Sequence, residues 1–494
     1  MTMSDAPLSL GARLHQLAQA DPDAAMISMG AVTLSRREVD ARSNRLARAF
    51  QAKGLGQGDL LSIALANSVD FMVAAAACWK LGATPQPVSW RLPIAELTAI
   101  VELAQSSFVL CEPGAATGDA PGYTVDELLA STQDAAPLPD AIAPSWKAPT
   151  SGGSTGRPKL IMASTPGVYT PTFNGHWNVQ PDDIAIMPGP LYHNAPFGSA
   201  ALSMMRGAHM ILMPKFDAEA VLKEVEERGA TWLYLVPTMM NRIWRLPDEV
   251  RNRYDISKLR TVWHTAAPCP PWLKEAWLDW IGPDVIWELF GTTEAICATV
   301  ISGREWLAKP RSAGVPIFGE MKIVGENGET LPAGEVGEIY ARRGVGAPPS
   351  YFYRGAQTVQ TEGGWETMGD MGYLDEDGYL FLADRRGDMI LVGGSNVYPA
   401  EIEAVLDEHP AVGSSCVIGL PDDDMGNLIH AIVQTKGDVS AEDLHAHIAS
   451  RLVSYKRPRS FELVTHALKD DAGKVRRSQL RAERIADARE KAPG

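Results

Sequence analysis

A few short segments of this 494-residue chain carry residue types that do chemistry. Ser151, Gly152, Gly153, Ser154, Thr155 and Gly156 mix hydroxyls with residues lacking Cβ bulk, so backbone amides and side-chain oxygens can close around phosphate oxygens. Lys159 adds a cation. The spacing is not that of a P-loop, because Arg157-Pro158 separates Gly156 from Lys159, and no G-x-G-x-x-G follows a strand pattern here. A P-loop kinase and a dinucleotide-binding fold are therefore disfavoured. In the run FGTTE, Thr292 and Thr293 offer hydroxyls to a phosphate and Glu294 offers a hard carboxylate suited to Mg²⁺. A Glu after a Gly-Thr turn also serves simply to start a helix. Lys474, after Gly473, is a cation that could stabilise charge on a transferring group, or one member of a solvated run with Arg476 and Arg477.

The elements around these segments follow an alternating rhythm. From about residue 60, runs rich in Val, Ile and Leu alternate with amphipathic stretches, the pattern of strands and crossover helices. LLSIALA reads as a strand from Leu61, and DFMVAAAACWKLGA as the helix after it, ending at Gly82. AHMILM, DAEAVLKEVEERGA and TWLYLV form a strand, helix, strand unit with Gly229 closing the helix. Residues 111 to 147, rich in Ala, Pro, Gly and Asp, read as surface connections. After DRRGDMILVGG the pattern becomes a compact α+β run: EIEAVLDEHP as helix, SSCVIGL and LIHAIVQTK as strands, AEDLHAHIASRLV as helix. RAERIADAREKAPG reads as a fraying terminal helix or tail.

The length exceeds what one hydrophobic core usually serves, so two or more domains are expected. A net charge of -15 without a long acidic block argues against a nucleic-acid partner. The N-terminus lacks a secretory signal, and the most apolar run, FMVAAAACW, stops at Lys80, so no integral membrane segment and a cytoplasmic location are expected. Cys78, Cys111, Cys269, Cys297 and Cys416 stand far apart with no CxxC pair, the usage of buried thiols in a reducing compartment.

Taken in order along the chain, SGGSTGRPK, PLYHNAPF, WELFGTTE, GWETMGDMGYLDEDGYLFLADRRGDMI, GGSNVYPAEIE and GKVRR resemble the acyl-adenylate-forming superfamily of acyl-CoA synthetases, peptide-synthetase adenylation domains and luciferases. The resemblance implies an α/β fold with a large multi-sheet N-terminal domain, residues 1–386, and a small mobile α+β C-terminal domain, residues 387–494. It implies ATP, Mg²⁺ and coenzyme A as the reacting partners of a small-molecule carboxylic acid, and leaves a homodimer open.

By resemblance, the Ser151–Gly156 loop and Lys159 hold phosphates, Thr155 and Glu294 lie at the metal, and Thr293 joins Glu294 among the catalytic residues as a hydroxyl donor to phosphate. Phe290, Gly291 and Thr292 flank the nucleotide on one side, and Ala266, Ala267 and Pro268 on the other. Asp370 accepts from the ribose hydroxyls, Arg385 contacts the nucleotide, His193 gates the acyl entrance, and Lys474 serves adenylation. In the second half-reaction the family swings its small domain so that the loop with Gly393 and Gly394 replaces the lysine. Two departures stand out: the usual Pro-Arg pair before the lysine is replaced by Lys469, Asp470 and Asp471, and the usual pivot residue is Gly387.

By the same resemblance the acid pocket draws on Thr238, Met239 and Met240, on the TAAPCP stretch and on the residues around Asn194 to Gly198, where small and flexible side chains suit a bulky apolar acid: steroid or bile-acid-like, aromatic, or a medium to long-chain fatty acid. The expected activity is an AMP-forming acid:CoA ligase. The alternatives are loading of a carrier-protein thiol and a nucleotide-binding regulator without chemistry.

Overall fold

A computed structural model of the chain describes residues 7–152, 158–172, 175–385, 387–392, 395–422, 425–470 and 473–491. The predicted α/β class holds. The largest sheet has nine strands, ordered Val315–Phe318, Ala298–Ser302, Ile286–Gly291, Thr261–His264, Trp232–Leu235, Ile184–Met187, His209–Leu212, Ala25–Met29, Val32–Ser35. Every pairing from Ile286–Gly291 through to Ala25–Met29 is parallel, and antiparallel strands close both flanks. Parallel strands buried on both faces need near-continuous apolar runs, and Trp232–Leu235 and Thr261–His264 are buried at every position.

The predicted strand, helix, strand unit is present as His209–Leu212, Ala218–Arg228 and Trp232–Leu235, with Gly229 closing the helix at φ 65°. A second, parallel sheet contains Leu60–Ala64, followed by the helix Val69–Lys80 and Gly82 at φ 69°. Lys80 does not end that apolar run by reaching solvent. Its ammonium is buried, donating to Asp40 Oδ1 and Asn44 Oδ1, both at 2.6 Å. The 111–147 stretch is more ordered than surface connections would be. It holds the strand Gly122–Tyr123 and the helix Val125–Ala130, and its carbonyls at Leu129, Thr132 and Ala135 accept from Arg45 and Asn44.

A four-stranded antiparallel sheet, Glu320–Val324, Gly337–Arg342, Glu366–Leu374 and Leu380–Arg385, leads into the smaller C-terminal unit. That unit pairs Val412–Asp422 with Gly426–Thr435 antiparallel and adds Ser460–Val464 parallel, under the helices Pro399–Asp407 and Ala441–Ala449. Ile402, Leu406, Val417, Ala431, Val433, Leu444 and Ile448 form its own core. The terminal helix spans Arg477–Lys491. Among the described residues, no helix is long and apolar enough to cross a membrane.

Candidate active site

In a parallel sheet, ligands bind beyond the carboxyl ends of the strands. Four of the predicted segments leave this sheet at that one edge. Tyr192 and His193 follow Ile184–Met187, Thr238 follows Trp232–Leu235, Ala266 to Pro268 follow Thr261–His264, and Thr292 to Glu294 follow Ile286–Gly291. Asn67 fastens the first of these loops, donating to the Gly189 and Met213 carbonyls at 2.9 Å and accepting from the Leu191 amide at 2.8 Å. His193 sits at the N-cap of the helix Asn194–Arg206, half-buried, with its ring 4.6 Å from that of Tyr192. Ala266 is held at φ 76°, a left-handed conformation that costs a non-glycine residue about 1 kcal/mol or more and clusters at ligand clamps.

Lys159 and Glu294 meet, although the sequence separates them widely. Thr150–Gly152 and Pro158–Ala163 form an antiparallel hairpin in which Ser151 faces Lys159. Its tip, from Gly153 through Ser154, Thr155 and Gly156, lies outside the described residues. On the other side of the hairpin, Tyr351–Arg354 adds antiparallel and brings Tyr353 in. The Tyr353 hydroxyl donates to Glu294 Oε1 at 2.7 Å, and Lys159 Nζ lies 3.6 Å from the same oxygen and 3.9 Å from the Tyr353 ring centre. Burial, reinforced by the Glu294 carboxylate, pushes the Tyr353 hydroxyl far above its ordinary value and keeps it a donor. Ser350 Oγ donates to the Glu294 carbonyl at 2.7 Å. Neither Tyr353 nor Ser350 was singled out from sequence.

Thr292 Oγ1 is buried without a hydrogen-bond partner among the described residues, a state that natural cores rarely leave uncorrected. Such an orphan hydroxyl, two residues before Glu294 at the same end of the strand, fits a phosphate oxygen. The donor set also fits Mg²⁺, which commonly takes one or two carboxylates and completes its shell with phosphates and water. Among the described residues no cluster of three or more His, Cys, Asp or Glu side chains could hold a metal by itself. Phe290 is half-buried against the four-stranded sheet's core. On that sheet Asp370 stands directly opposite Arg385 in antiparallel register, so the two predicted nucleotide contacts are brought together. Gly393 and Gly394 lie outside the described residues. Met239 and Met240 are buried in the main core, leaving Thr238 as the half-exposed member of its run.

The Lys474 segment reaches the same edge. A Cβ built on Gly473 would stand 2.7 Å from Thr238 Oγ1. With φ 78° as well, the position admits only glycine without displacement. Asp470 closes the turn that presents Lys474: Oδ1 accepts from the Lys474 amide at 2.8 Å, and its own amide donates to the Lys474 carbonyl at 2.9 Å. The Asp that replaces the expected Pro-Arg pair thus organises the loop itself. Arg477 is not part of a solvated run, because it donates to Glu403 Oε1 at 2.6 Å and pairs with Asp388 at 3.2 Å, next to Gly387. Arg245 links the two units by donating to the Pro410 carbonyl at 2.9 Å and the Asp407 carbonyl at 2.5 Å, at the C-terminal end of Pro399–Asp407.

Cys78, Cys111, Cys297 and Cys416 are buried, Cys269 is half-buried, and all are free thiols. Burial raises the Cys297 thiol to about 11 and the Cys416 thiol to about 12, away from reactivity.

The chain matches the family model described as AMP-binding enzyme over residues 14–352 and that described as AMP-binding enzyme C-terminal domain over residues 401–474. It is 31% identical to a feruloyl-CoA synthase of Amycolatopsis, covering 96% of this chain and 98% of the relative. It is 29% identical to a 2-succinylbenzoate–CoA ligase of Bacillus licheniformis, covering 94% and 98%. Among solved structures, the o-succinylbenzoate CoA synthetase of Bacillus subtilis in complex with the acyl-adenylate OSB-AMP superposes with a TM-score of 0.81 at 26% identity, covering 96% of this chain and 98% of that one. These matches, which span nearly the whole chain, settle the family: the chain belongs to the AMP-binding enzyme family of adenylate-forming ligases.

Proposed function

We propose that this AMP-forming acid–CoA ligase activates an aromatic carboxylic acid. The observation that carries the reading is the convergence, at one carboxyl edge, of the Lys159–Tyr353–Glu294 cluster with the Gly473–Lys474 turn against Thr238. Relatives named for feruloyl and 2-succinylbenzoate groups favour the aryl member of the broader expectation of bulky apolar acids.

In the first half-reaction a carboxylate oxygen attacks the α-phosphorus of ATP, the bond to the β-phosphate oxygen breaks, and pyrophosphate leaves with the electron pair. In the second, the sulfur of coenzyme A attacks the acyl carbonyl carbon, its proton passes to solvent, and AMP leaves. Lys474 is assigned to the charge that grows around the α-phosphate, where a positioned cation in a water-poor site is worth far more than in bulk water. Glu294 and Thr155 are assigned to Mg²⁺, whose bound charge would offset that of the phosphates. Thr292 and Thr293 donate to phosphate oxygens, and Ser151 to Gly156 with Lys159 enclose the remaining phosphates.

Ala266, Ala267 and Pro268 face the base opposite Phe290 and Gly291, while Asp370 and Arg385 hold the ribose side. His193 gates the acid. Gly393 and Gly394 serve the thioester step after the unit from 387 onward turns about Gly387, where a Cβ would meet nothing within 4 Å. On this reading residues 1–386 bind ATP and acid, and 387–494 supply the mobile part.

Pyrophosphate release and thioester formation, measured with ATP, Mg²⁺, coenzyme A and panels of aryl, fatty and steroidal acids, test the proposal. Aryl acids should give the highest kcat/KM. Turnover confined to fatty or steroidal acids would refute the substrate class, and adenylate that coenzyme A never captures would refute the ligase.

A further inference from the structure

Lys159 and Lys474 have places in the reaction, but a third lysine at this edge does not. Lys147 lies just before the Thr150–Gly152 strand, its carbonyl accepting from the Ala163 amide at 3.2 Å and from Ser145 Oγ at 2.8 Å, so its backbone is fixed. Its ammonium lies 4.5 Å from the Trp146 ring centre and donates to Asn194 Oδ1, in the residue after His193. Trp146 stacks on Phe197 of the same helix, 6.3 Å between ring centres and 17° between planes. The side chain is therefore held from two sides, directly beside the gate residue.

Enclosure pushes the Lys147 ammonium down to about 7, and among the described residues no carboxylate offsets that effect. Its charge reaches His176, which its own burial, and then Lys147, lower to about 4, so that ring is neutral in ordinary buffer. His176 stands on the wall of a cavity of about 610 Å³ shared with Val300, Phe318 and Arg206. Lys147, His176, His193 and Asn194 are each half-buried, so each of the four residues keeps some exposed surface. A desolvated ammonium without a counter-ion is costly. A ligand oxygen that arrives with the substrate would relieve that cost.

We propose that Lys147 is a specificity-determining residue that holds an oxygen substituent on the ring of the acid, a second carboxylate or a phenolic oxygen, with Asn194 and His176 alongside it. The inference rests on the aryl-acid reading and adds the chemistry of the acid's far end. Lys147 takes no part in bond making, because it acts on a part of the acid that does not react.

Direct binding, followed by tryptophan fluorescence or calorimetry, would compare cinnamate, 4-hydroxycinnamate and 4-carboxycinnamate on the wild-type chain, Lys147→Met and Lys147→Gln, with thermal melting to show that each variant is folded. Pyrophosphate release from the same samples reads the ligase separately. The wild type should bind the oxygen-bearing acids about tenfold or more tighter than cinnamate, since a site built for a polar group is left unpaired by an analogue lacking it. The 4-carboxy and 4-hydroxy arms tell a carboxylate from a phenol. Lys147→Met should collapse the preference, and Lys147→Gln, which keeps a donor, should retain part of it.

A preference unchanged in Lys147→Met, or absent in the wild type, overturns the proposal. Equal loss for all three acids also overturns it, because Lys147 would then hold the reacting carboxylate. Pyrophosphate release without the binding preference would sink this inference and leave the ligase standing. The preference without pyrophosphate release would sink the ligase and leave the subsite standing.

Discussion

Replacing Lys147 by Met should make the folded chain more stable, and by an amount that depends on pH. The ordinary lysine value is about 10.5 and the folded-state value about 7, a difference worth about 4 to 5 kcal/mol at about 1.4 kcal/mol per tenfold change in proton affinity. The unfolded chain binds this proton more readily than the folded one. The penalty is therefore complete below about pH 7 and fades as pH rises from there toward the unfolded value near 10. Loss of the hydrogen bond to Asn194 returns about 1 to 2 kcal/mol in the other direction. The net gain for Lys147→Met should be about 3 kcal/mol near pH 6 and less than about 1 kcal/mol near pH 9. Urea midpoints for wild type and variant in matched buffers give the difference directly. A variant that is destabilised, or a difference that does not shrink with rising pH, would refute the reasoning, because Lys147 would then be compensated in a way its surroundings do not account for.

Three further outcomes are expected. Lys474→Ala should lower adenylate formation by about a hundredfold or more while coenzyme A capture of supplied acyl-AMP largely survives, and equal loss in the two half-reactions would remove Lys474 from the first step. Arg245→Ala removes charge-assisted donors from two carbonyls at the end of Pro399–Asp407, an interaction worth about 1.5 to 3 kcal/mol. Adenylation should fall by about tenfold with acid affinity little changed, and an unaltered adenylation rate would show that the link does not hold Gly473 against Thr238. Lys80→Met strands the buried Asp40 and should cost about 3 to 5 kcal/mol by denaturant unfolding, so a loss under about 1 kcal/mol would contradict the pairing.

The parts of the fold that could be read from sequence are those whose cause is local. Ala218–Arg228 announces itself through the Asp217 cap, the apolar spacing and Gly229, and the flanking strands through unbroken apolar runs. What could not be read depends on pairings made across the fold. Tyr353 reaches Glu294 because Tyr351–Arg354 adds to the hairpin that carries Lys159, and nothing in YFYRG specifies that neighbour. Lys80 reads as the end of an apolar run until Asp40 and Asn44 arrive from another helix. Asp470 reads as a departure from a motif until its carboxylate is seen closing the turn of Lys474. The motif residues of the site were legible as types, and their supporting contacts were not.

Three buried or enclosed lysines show where the fold resolves a cost and where it leaves one. Lys80 is met by Asp40 and Asn44, and Lys274, fully buried, lies 3.1 Å from Glu288 and 2.5 Å from His264. Both are settled within the protein and have no need of a ligand. Lys147 has an amide oxygen and a ring face. It shares its edge of the sheet with Thr292, whose hydroxyl has no partner among the described residues, and with Ala266 and Ala295, at φ 76° and 52°. Burying an unpaired polar group and holding alanine in a left-handed conformation each cost about 1 to 3 kcal/mol, and such costs persist where the structure is shaped for something that binds. Lys147 thus lies on the side of the sheet where nucleotide and acid are proposed to bind, and no carboxylate among the described residues offsets its charge, whereas Lys80 and Lys274 each meet one inside the protein. That division, more than the charge of any one residue, separates Lys147 from the structural lysines.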